Sequence, residues 1–301
     1  MSERAQHPAT ADFPIGAARR LVETALDEDL GPDGLDVTST ATIPADQVAT
    51  GHVLARGPGV LAGAPVIALV LEGVATRTGG RPPSLDVRIA DGARIDAGDV
   101  IAVLDGAVQQ VLMAERTLLN VMSRLSGVAT HTRRWADVLA GTGCTVLDTR
   151  KTTPGMRELE KYAVRAGGGT NKRMGLFDVA MVKDNHVTAA GGVGAAHAAI
   201  RARYPHVGIE VEVESTEQAL EALEAGSRFL MCDNMPLDLL RTTVETARGW
   251  AAAHGESIEI EATGGLTLET AAATAATGID VMSVGGLTHS SPIIDLALDL
   301  V

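Results

Sequence analysis

Positive charge is concentrated in one region of an otherwise acidic chain. The 301 residues carry a formal net charge of −13, yet residues 148–186 hold eight Lys or Arg against five Asp or Glu. Within this region, the stretch GGGTNKRMG (167–175) sets three glycines shortly before Lys172 and Arg173, with only Thr170 and Asn171 between them. Arginine offers a planar fork of donors that fits a carboxylate, and lysine offers a point charge that suits phosphate or pyrophosphate. The pattern indicates a local site for a multiply anionic ligand.

The basic residues of this region divide into two groups. Arg157, Lys161 and Arg165 follow one another at helical spacing and are predicted to lie on a solvated helix face. The others fall in loops and at strand ends, where a side chain can point into a site. With Arg116 added, the arginines that could bind a carboxylate are Arg116, Arg150 and Arg173. The lysines that could bind phosphate or pyrophosphate are Lys151, Lys172 and Lys183.

The composition argues against several kinds of partner and location. A surplus of 38 Asp and Glu over 25 Lys and Arg would repel nucleic acid over most of the surface. Cys144 and Cys232 lie in neither a CxxC motif nor a Cys/His cluster, which favours a reducing cytoplasm over disulfides or structural zinc. No apolar segment follows the early Arg4, so no secretory signal is expected, and the longest apolar run (64–71) is too short to span a bilayer. We therefore expect a cytoplasmic protein with small-molecule partners.

Elements of two kinds must position the basic residues. Up to about residue 110, short β-like segments with Gly and Pro turns predict a small sheet-containing domain. Beyond about residue 140, Val- and Ile-rich segments alternate with amphipathic helical segments. This alternation predicts parallel strands with right-handed crossovers, and a barrel is the expected closure. The predicted barrel strands are 144–149, 179–183, 207–213, 228–232, 257–262 and 279–284.

Polar residues or glycine pairs follow all of these predicted strands. Since the C-terminal ends of barrel strands form the catalytic face, the loops should converge on one pocket. In GIEVEVES and SIEIEA, alternate residues are glutamates that share one face of the strand. Because the helices need the apolar face, these carboxylates should line the barrel interior, where they need a metal or cationic partners. They are Glu210, Glu212, Glu214, Glu259 and Glu261.

Two glycine pairs follow the last two predicted strands, in ATGGLT (262–267) and SVGGLT (283–288). We expect both pairs to expose backbone N–H groups at a helix start, which suits a phosphate, and barrels commonly bind phosphate in these loops. Glu212 and Asp233 are placed to meet hydroxyl groups, a magnesium ion or a developing cation. The residues together predict transfer of a phosphorylated sugar to an acidic acceptor.

Several stretches, in their order and spacing, resemble one known family. They are AERTLLNVMSRLSGVAT, DTRKTTPGMRELEKYAVRAGGG, MVKDNH, VEVES, CDN, ATGGL and SVGGLTHS. With DEDLGPDGLDVTS and ARGPGVLAG nearer the start, the likeness covers nearly the whole chain. The family is nicotinate-nucleotide pyrophosphorylase (carboxylating), also called quinolinate phosphoribosyltransferase, a type II phosphoribosyltransferase.

The resemblance implies an α/β fold and a reaction. The fold would be an N-terminal α/β sandwich domain (1–117), an incomplete, TIM-like α/β barrel of six to seven strands (118–288) and a C-terminal segment (289–301) that returns to the N-terminal domain. The reaction would join quinolinate to phosphoribosyl pyrophosphate with Mg²⁺, giving nicotinate mononucleotide, pyrophosphate and CO₂ in de novo NAD biosynthesis. The active form would be a homodimer with shared active sites, and the sequence leaves open whether it exists alone or as a hexamer of dimers.

The matching motifs also imply roles for individual residues. Quinolinate is expected to meet Arg116 from the neighbouring subunit together with Arg150, Lys172 and Arg173. Catalysis and phosphoribosyl pyrophosphate binding are expected from Lys151, Lys183, Glu212 and Asp233. Mg²⁺ would be held mainly through substrate and waters near Glu212 and Asp233. The sugar phosphate is expected at Thr263, Gly264, Gly265, Gly285 and Gly286.

One departure from the family pattern leaves the acceptor open. After GGG the family usually has x-Asn-His-Arg, whereas this chain has Thr170-Asn171-Lys172-Arg173. Lysine keeps a positive charge but loses the titration and two-sided hydrogen bonding of an imidazole. One alternative is therefore a paralogue that uses another anionic aromatic acid, or that only binds a phosphorylated ligand.

A second alternative, independent of this departure, is a Schiff-base aldolase using Lys183, which ends a predicted barrel strand.

Overall fold

The computed structural model describes residues 13–301, which form two compact units. The sandwich unit consists of residues 13–133, 152–168 and 286–301. The barrel unit consists of Arg134–Lys151 and Gly169–Gly285.

Helices and strands alternate along most of the described chain. The helices are α1 (Ile15–Leu30), α2 (Val37–Thr42), α3 (Val66–Thr78), α4 (Val108–Leu139), α5 (Arg157–Ala166), α6 (Asp184–Ala190), α7 (Val193–Arg203), α8 (Thr216–Glu224), α9 (Leu237–His254), α10 (Leu268–Ala275) and α11 (Gly286–His289). The strands are β1 (Val48–Ala55), β2 (Gly59–Val60), β3 (Ser84–Val87), β4 (Arg94–Ile95), β5 (Val100–Ala107), β6 (Thr145–Leu147), β7 (Val179–Val182), β8 (Gly208–Val213), β9 (Phe229–Asp233), β10 (Glu259–Thr263), β11 (Val281–Ser283) and β12 (Leu296–Leu300). Within residues 13–301, no helix combines the length and apolar character needed to cross a membrane.

The sandwich unit is built on a four-stranded antiparallel sheet in the order β12-β1-β5-β3. From Gly51 to Ala55, buried and half-buried residues alternate along β1, as expected of a strand with one face on a core. Helices α1 and α3 of this unit pack against each other. The C-terminal strand β12 pairs with β1, so the end of the chain completes the sheet.

The barrel unit contains six parallel strands in the order β6-β11-β10-β9-β8-β7. A parallel bridge between Leu147 and Thr170 sets a further short segment beside β6. Each of the predicted barrel strands is present within one or two residues of its expected bounds. The prediction of an α/β fold with an incomplete barrel and an N-terminal sheet unit is confirmed.

Strand β8 shows how the barrel separates its two faces. Ile209, Val211 and Val213 are buried toward the helices. Glu210, on the opposite face of β8, is also fully buried, as is Glu261 on β10. The interior of the barrel unit therefore contains Glu210 and Glu261, as the alternating glutamates predict. The prediction is wrong for Glu214, which is exposed because it follows the end of β8, and Glu259 is only half-buried.

Helix α5 corrects one expectation. Lys161 is fully buried, so the prediction of a solvated face is wrong for this residue, whereas Arg157 and Arg165 are partly exposed. All residues from 159 to 164 are buried, so α5 is enclosed on more sides than helical spacing alone can indicate. The long apolar stem of lysine allows such packing.

Candidate active site

The strands of the barrel unit end at a common edge that carries most of the predicted site residues. Asp233, at the end of β9, lies opposite Thr263 at the end of β10, and Ser283 of β11 lies opposite Leu147 of β6. The loops that begin at this edge contain Arg150, Lys183 and the glycine pairs. Parallel pairing therefore gathers residues that are distant in sequence.

Lys183 and Glu212 form an ion pair at this edge. Lys183 follows β7, and its ammonium contacts Glu212 Oε2 on β8. The Lys183 side chain is 43% exposed and that of Glu212 is 12% exposed. The Lys183 backbone N–H donates to His186 Nδ1 at 3.0 Å, which fixes the start of α6. Because a neighbouring carboxylate stabilises the charged amine, this contact disfavours a Schiff-base role, for which lysine must be neutral.

Arg150 and Arg173 lie near each other. Burial and then the charge of Arg150 lower the pKa of Arg173, while the carboxylates of Glu210 and Asp178 oppose this shift. Arg173 Nη1 donates to the Val179 carbonyl at 2.9 Å, which holds its side chain. Arg150 Nε is buried and lacks a hydrogen-bond partner among residues 13–301. Two neighbouring guanidinium groups, one with an unused buried donor, form a suitable site for carboxylates.

Lys172 occupies the barrel interior between two acids. Its Nζ lies 2.8 Å from Glu210 Oε1 and 2.6 Å from Glu261 Oε1, and the contact with Glu261 has hydrogen-bond geometry. The Lys172 side chain is 6% exposed, and both glutamates are fully buried. Burial, followed by the charge of Glu261, raises the pKa of Glu210 to about 8, with Lys172 acting in the opposite direction. The interior acids thus have a cationic partner, as the sequence predicts.

From the sequence, the role of Asp148 stays open between orienting Arg150 and capping a turn. It is fully buried just after β6, and its Oδ1 accepts from the Lys172 backbone N–H at 2.9 Å. Its Oδ2 accepts from Asn171 Nδ2 at 2.5 Å. The signal that points to it is an acid at the end of a buried strand, directly before the basic Thr-Arg-Lys segment. Asp148 therefore fixes the backbone that carries Lys172 and Arg173.

The first glycine pair forms a turn. Gly264 and Gly265 have φ values of 81° and 61°, and Thr267 caps α10 with its side chain. The expectation that both glycine pairs open helices is therefore wrong for this pair, although Gly286 does begin α11. The reason is local. Gly264 and Gly265 both have left-handed backbone conformations, so the helix begins only after them, at Leu268. A Cβ at Gly264 would lie 2.8 Å from the backbone nitrogen of Asn234, so this loop is closely packed.

The remaining predicted residues occupy several positions. Lys151 is exposed beyond Arg150, and Gly285 is the last residue of the barrel unit. Arg116 belongs to the sandwich unit, where its side chain on α4 is 64% exposed.

The acids at the strand edge are compatible with magnesium. Within residues 13–301, no group of three His, Cys, Asp or Glu is arranged to hold a metal ion by itself. Glu212 and Asp233 are partly exposed on neighbouring strands. Mg²⁺ usually keeps several waters and takes one or two carboxylates together with substrate phosphates. These two acids fit an ion that is held mainly through substrate and water.

Both parts of the chain match the domains of one known family. Residues 36–126 match the N-terminal domain of quinolinate phosphoribosyl transferase, and residues 128–299 match its C-terminal domain. The chain belongs to the quinolinate phosphoribosyl transferase family. The family resemblance stated from the motifs is thereby confirmed.

Relatives of this family match over almost their full length. The chain is 45% identical over 290 residues to the nicotinate-nucleotide pyrophosphorylase (carboxylating) of Mycobacterium leprae, covering 96% of this chain and 99% of the relative. It is 41% identical to the probable nicotinate-nucleotide pyrophosphorylase (carboxylating) of Bacillus subtilis, covering 91% and 90%. The solved structure of the nicotinate-nucleotide pyrophosphorylase from Francisella tularensis is 31% identical, has a TM-score of 0.86 and covers 96% of this chain and 98% of that one.

Proposed function

We propose that this member of the family acts in the cytoplasm and transfers the phosphoribosyl group from phosphoribosyl pyrophosphate to quinolinate. The products are nicotinate mononucleotide, pyrophosphate and CO₂, and the reaction is a step of de novo NAD biosynthesis. The proposal rests on one observation. Arg150 and Arg173 lie near each other, at the same barrel edge as the ion pair of Lys183 and Glu212. Family membership and full-length relatives that are named for this reaction support it.

The acceptor is held by the two arginines. Their guanidinium groups bind the two carboxylates of quinolinate, and the buried Arg150 Nε supplies one of the donors. Binding there turns the pyridine nitrogen toward the anomeric carbon of the sugar. Fixing this orientation accounts for much of the rate enhancement, because two small molecules then react as one assembly.

Charge stabilisation completes the reaction. The bond between the anomeric carbon and pyrophosphate breaks as the ring nitrogen attacks, leaving positive charge on the ribose and negative charge on the leaving group. Glu212 and Asp233 stabilise the ribose, and Lys151 and Lys183 stabilise the pyrophosphate. When bound, Mg²⁺ supplies further neutralisation of the phosphate oxygens. The quaternised ring accepts the electron pair of the bond to CO₂, and a proton takes the vacated position.

The proposed active form is a homodimer in which Arg116 reaches the neighbouring subunit's site. Its 64% exposed side chain makes it available for such a contact. The family resemblance is the basis for this arrangement.

An acceptor panel tests the proposed function. Purified protein is incubated with Mg²⁺, phosphoribosyl pyrophosphate and either quinolinate, nicotinate or phthalate, and pyrophosphate release is measured. We expect release with quinolinate at a rate at least about tenfold above either analogue, since both carboxylates and the ring nitrogen are needed. Equal or faster release with an analogue would identify a different acceptor. Trapping of Lys183 by borohydride with a carbonyl substrate would instead support the aldolase alternative.

A further inference from the structure

We propose that Lys172 is a positioning residue, the internal counter-ion of Glu210 and Glu261, and that its charge does not bind the acceptor. Its ammonium lies 2.8 Å from one carboxylate and 2.6 Å from the other. Its side chain is 6% exposed, so the charge lies inside the barrel unit. This proposal deepens the proposed function and relies on it for the acceptor measurement only.

Two fully buried glutamates need a cation nearby. An isolated buried carboxylate is costly, and removing the partner of a buried ion pair leaves that cost uncompensated. Glu210 lies on β8 and Glu261 on β10, and both side chains point to the same interior region that Lys172 Nζ enters. The Lys172 amine also lies 3.1 Å from Met231 Sδ on β9, between these two strands. Lys172 thus links three neighbouring strands through one charge.

The same residue is held at its backbone. Asp148 accepts from the Lys172 N–H at 2.9 Å, and it also binds the side chain of Asn171. With its backbone and its ammonium both fixed, Lys172 sets the course of the chain at the next residue. That residue is Arg173, whose guanidinium lies near Arg150. We infer that Lys172 acts on the acceptor through the position of Arg173.

The buried position of the Lys172 charge has a consequence for specificity. A charge that is already paired with the buried acids Glu210 and Glu261 contributes little attraction to a further anion. The lysine in place of the family's usual histidine therefore does not redirect the enzyme to a different acidic acceptor. The acceptor's carboxylates are met by Arg150 and Arg173.

Charge neutralisation of the whole cluster tests this inference. The single variant Lys172→Met leaves two buried acids without their cation, and we expect its Tm to fall by about 10 °C. Its KM for quinolinate should rise about tenfold or more, because Arg173 loses its support. The triple variant K172M/E210Q/E261Q is neutral and nearly isosteric. We expect it to regain most of the lost Tm and to have a KM within about threefold of the parent.

Two results would overturn the inference. One is a triple variant with parental Tm whose KM stays at least about tenfold raised, because the Lys172 charge would then bind the acceptor directly. The other is a Lys172→Met protein with unchanged Tm. If Lys172→Met does not fold, the Tm and the KM for quinolinate of the triple variant alone test the inference.

A matched control uses the adjacent cation. Arg173→Met should raise KM for quinolinate, and adding E210Q and E261Q should not restore it, because Arg173 contacts the acceptor. The Tm comparison needs no substrate. A parent protein that does not turn over quinolinate would therefore defeat the proposed function and leave the test of the ion cluster intact.

Discussion

At the scale of single residues, the Lys183 and Glu212 pair connects the two halves of the proposed chemistry. Glu212 is mostly buried, and Lys183 is its neighbour at the open edge of the barrel unit. Without substrate, the two charges neutralise each other. A pyrophosphate group gives Lys183 an anionic partner, and a developing cation on the ribose gives Glu212 a positive one.

Replacing Lys183 should affect catalysis more than stability. For Lys183→Ala we expect kcat to fall about 10²- to 10³-fold, as when a preorganised donor to a developing charge is removed. The unfolding temperature should change little, because the side chain is 43% exposed. Steady-state kinetics and circular dichroism measure both. The control Arg88→Ala, at an exposed residue of the sandwich unit, should keep kcat within about twofold, and near-parental kcat in Lys183→Ala would refute the assignment.

The raised pKa of Glu210 predicts how stability depends on pH. The folded protein keeps a proton on Glu210 up to about pH 8, whereas the unfolded chain releases it near the ordinary value of 4.5. The stability that Glu210 contributes through this pKa difference is fully present below pH 4.5, and it is lost as the pH rises through about 8. Relative to Glu210→Gln, the parent's Tm should fall by about 3 °C per pH unit between pH 5 and 8 and then level off. Parallel Tm curves for the two proteins over this range would contradict the shift.

At the scale of helices and strands, local patterns predict more than contacts between distant segments. The barrel strands are predicted because apolar alternation and turn residues lie within a few positions of each other. The burial of Lys161 is not predicted, since it depends on what encloses α5. Alternating glutamates predict interior acids, but the cation that meets them comes from another element, 38 residues before Glu210 and 89 before Glu261. The sequence cannot select Lys172 over its basic neighbours without that packing.

The turn after β10 provides a test at this scale. Gly264→Ala would place a Cβ 2.8 Å from the Asn234 backbone nitrogen in a left-handed conformation. We expect KM for phosphoribosyl pyrophosphate to rise about tenfold or more and Tm to fall by a few degrees, because the turn must shift. The matched control is Gly249→Ala on α9, where a Cβ would meet nothing within 4 Å. If Gly264→Ala keeps the parent's KM for phosphoribosyl pyrophosphate, this loop does not bind the phosphate.

At the scale of the whole molecule, the chain combines a net charge of −13 with the proposed site for anionic substrates. The cations that serve this site come from several loops, so the attraction is local to the barrel edge. The acidic remainder of the surface favours solubility and disfavours nucleic acid. The proposed dimer would add a further cation, Arg116, from the second subunit.

Subunit mixing tests the shared site. Arg116→Ala and Lys183→Ala proteins are each expected to be inactive, because each removes a cation from every site. After dissociation and reassociation together, half of the dimers are hybrids with one intact site, so about a quarter of the parent's activity should return. Recovery requires that Arg116 and Lys183 of one site belong to different subunits. A mixture that stays inactive, while mass measurements confirm hybrid dimers, would place both residues in the same subunit's site.

The most direct measurement of the central claim is product stoichiometry with quinolinate labelled in the carboxylate next to the ring nitrogen. With phosphoribosyl pyrophosphate and Mg²⁺, we expect labelled CO₂, pyrophosphate and nicotinate mononucleotide in equal amounts, and no labelled CO₂ when phosphoribosyl pyrophosphate is omitted. Pyrophosphate without labelled CO₂, or the absence of both with a correctly folded protein, would contradict it.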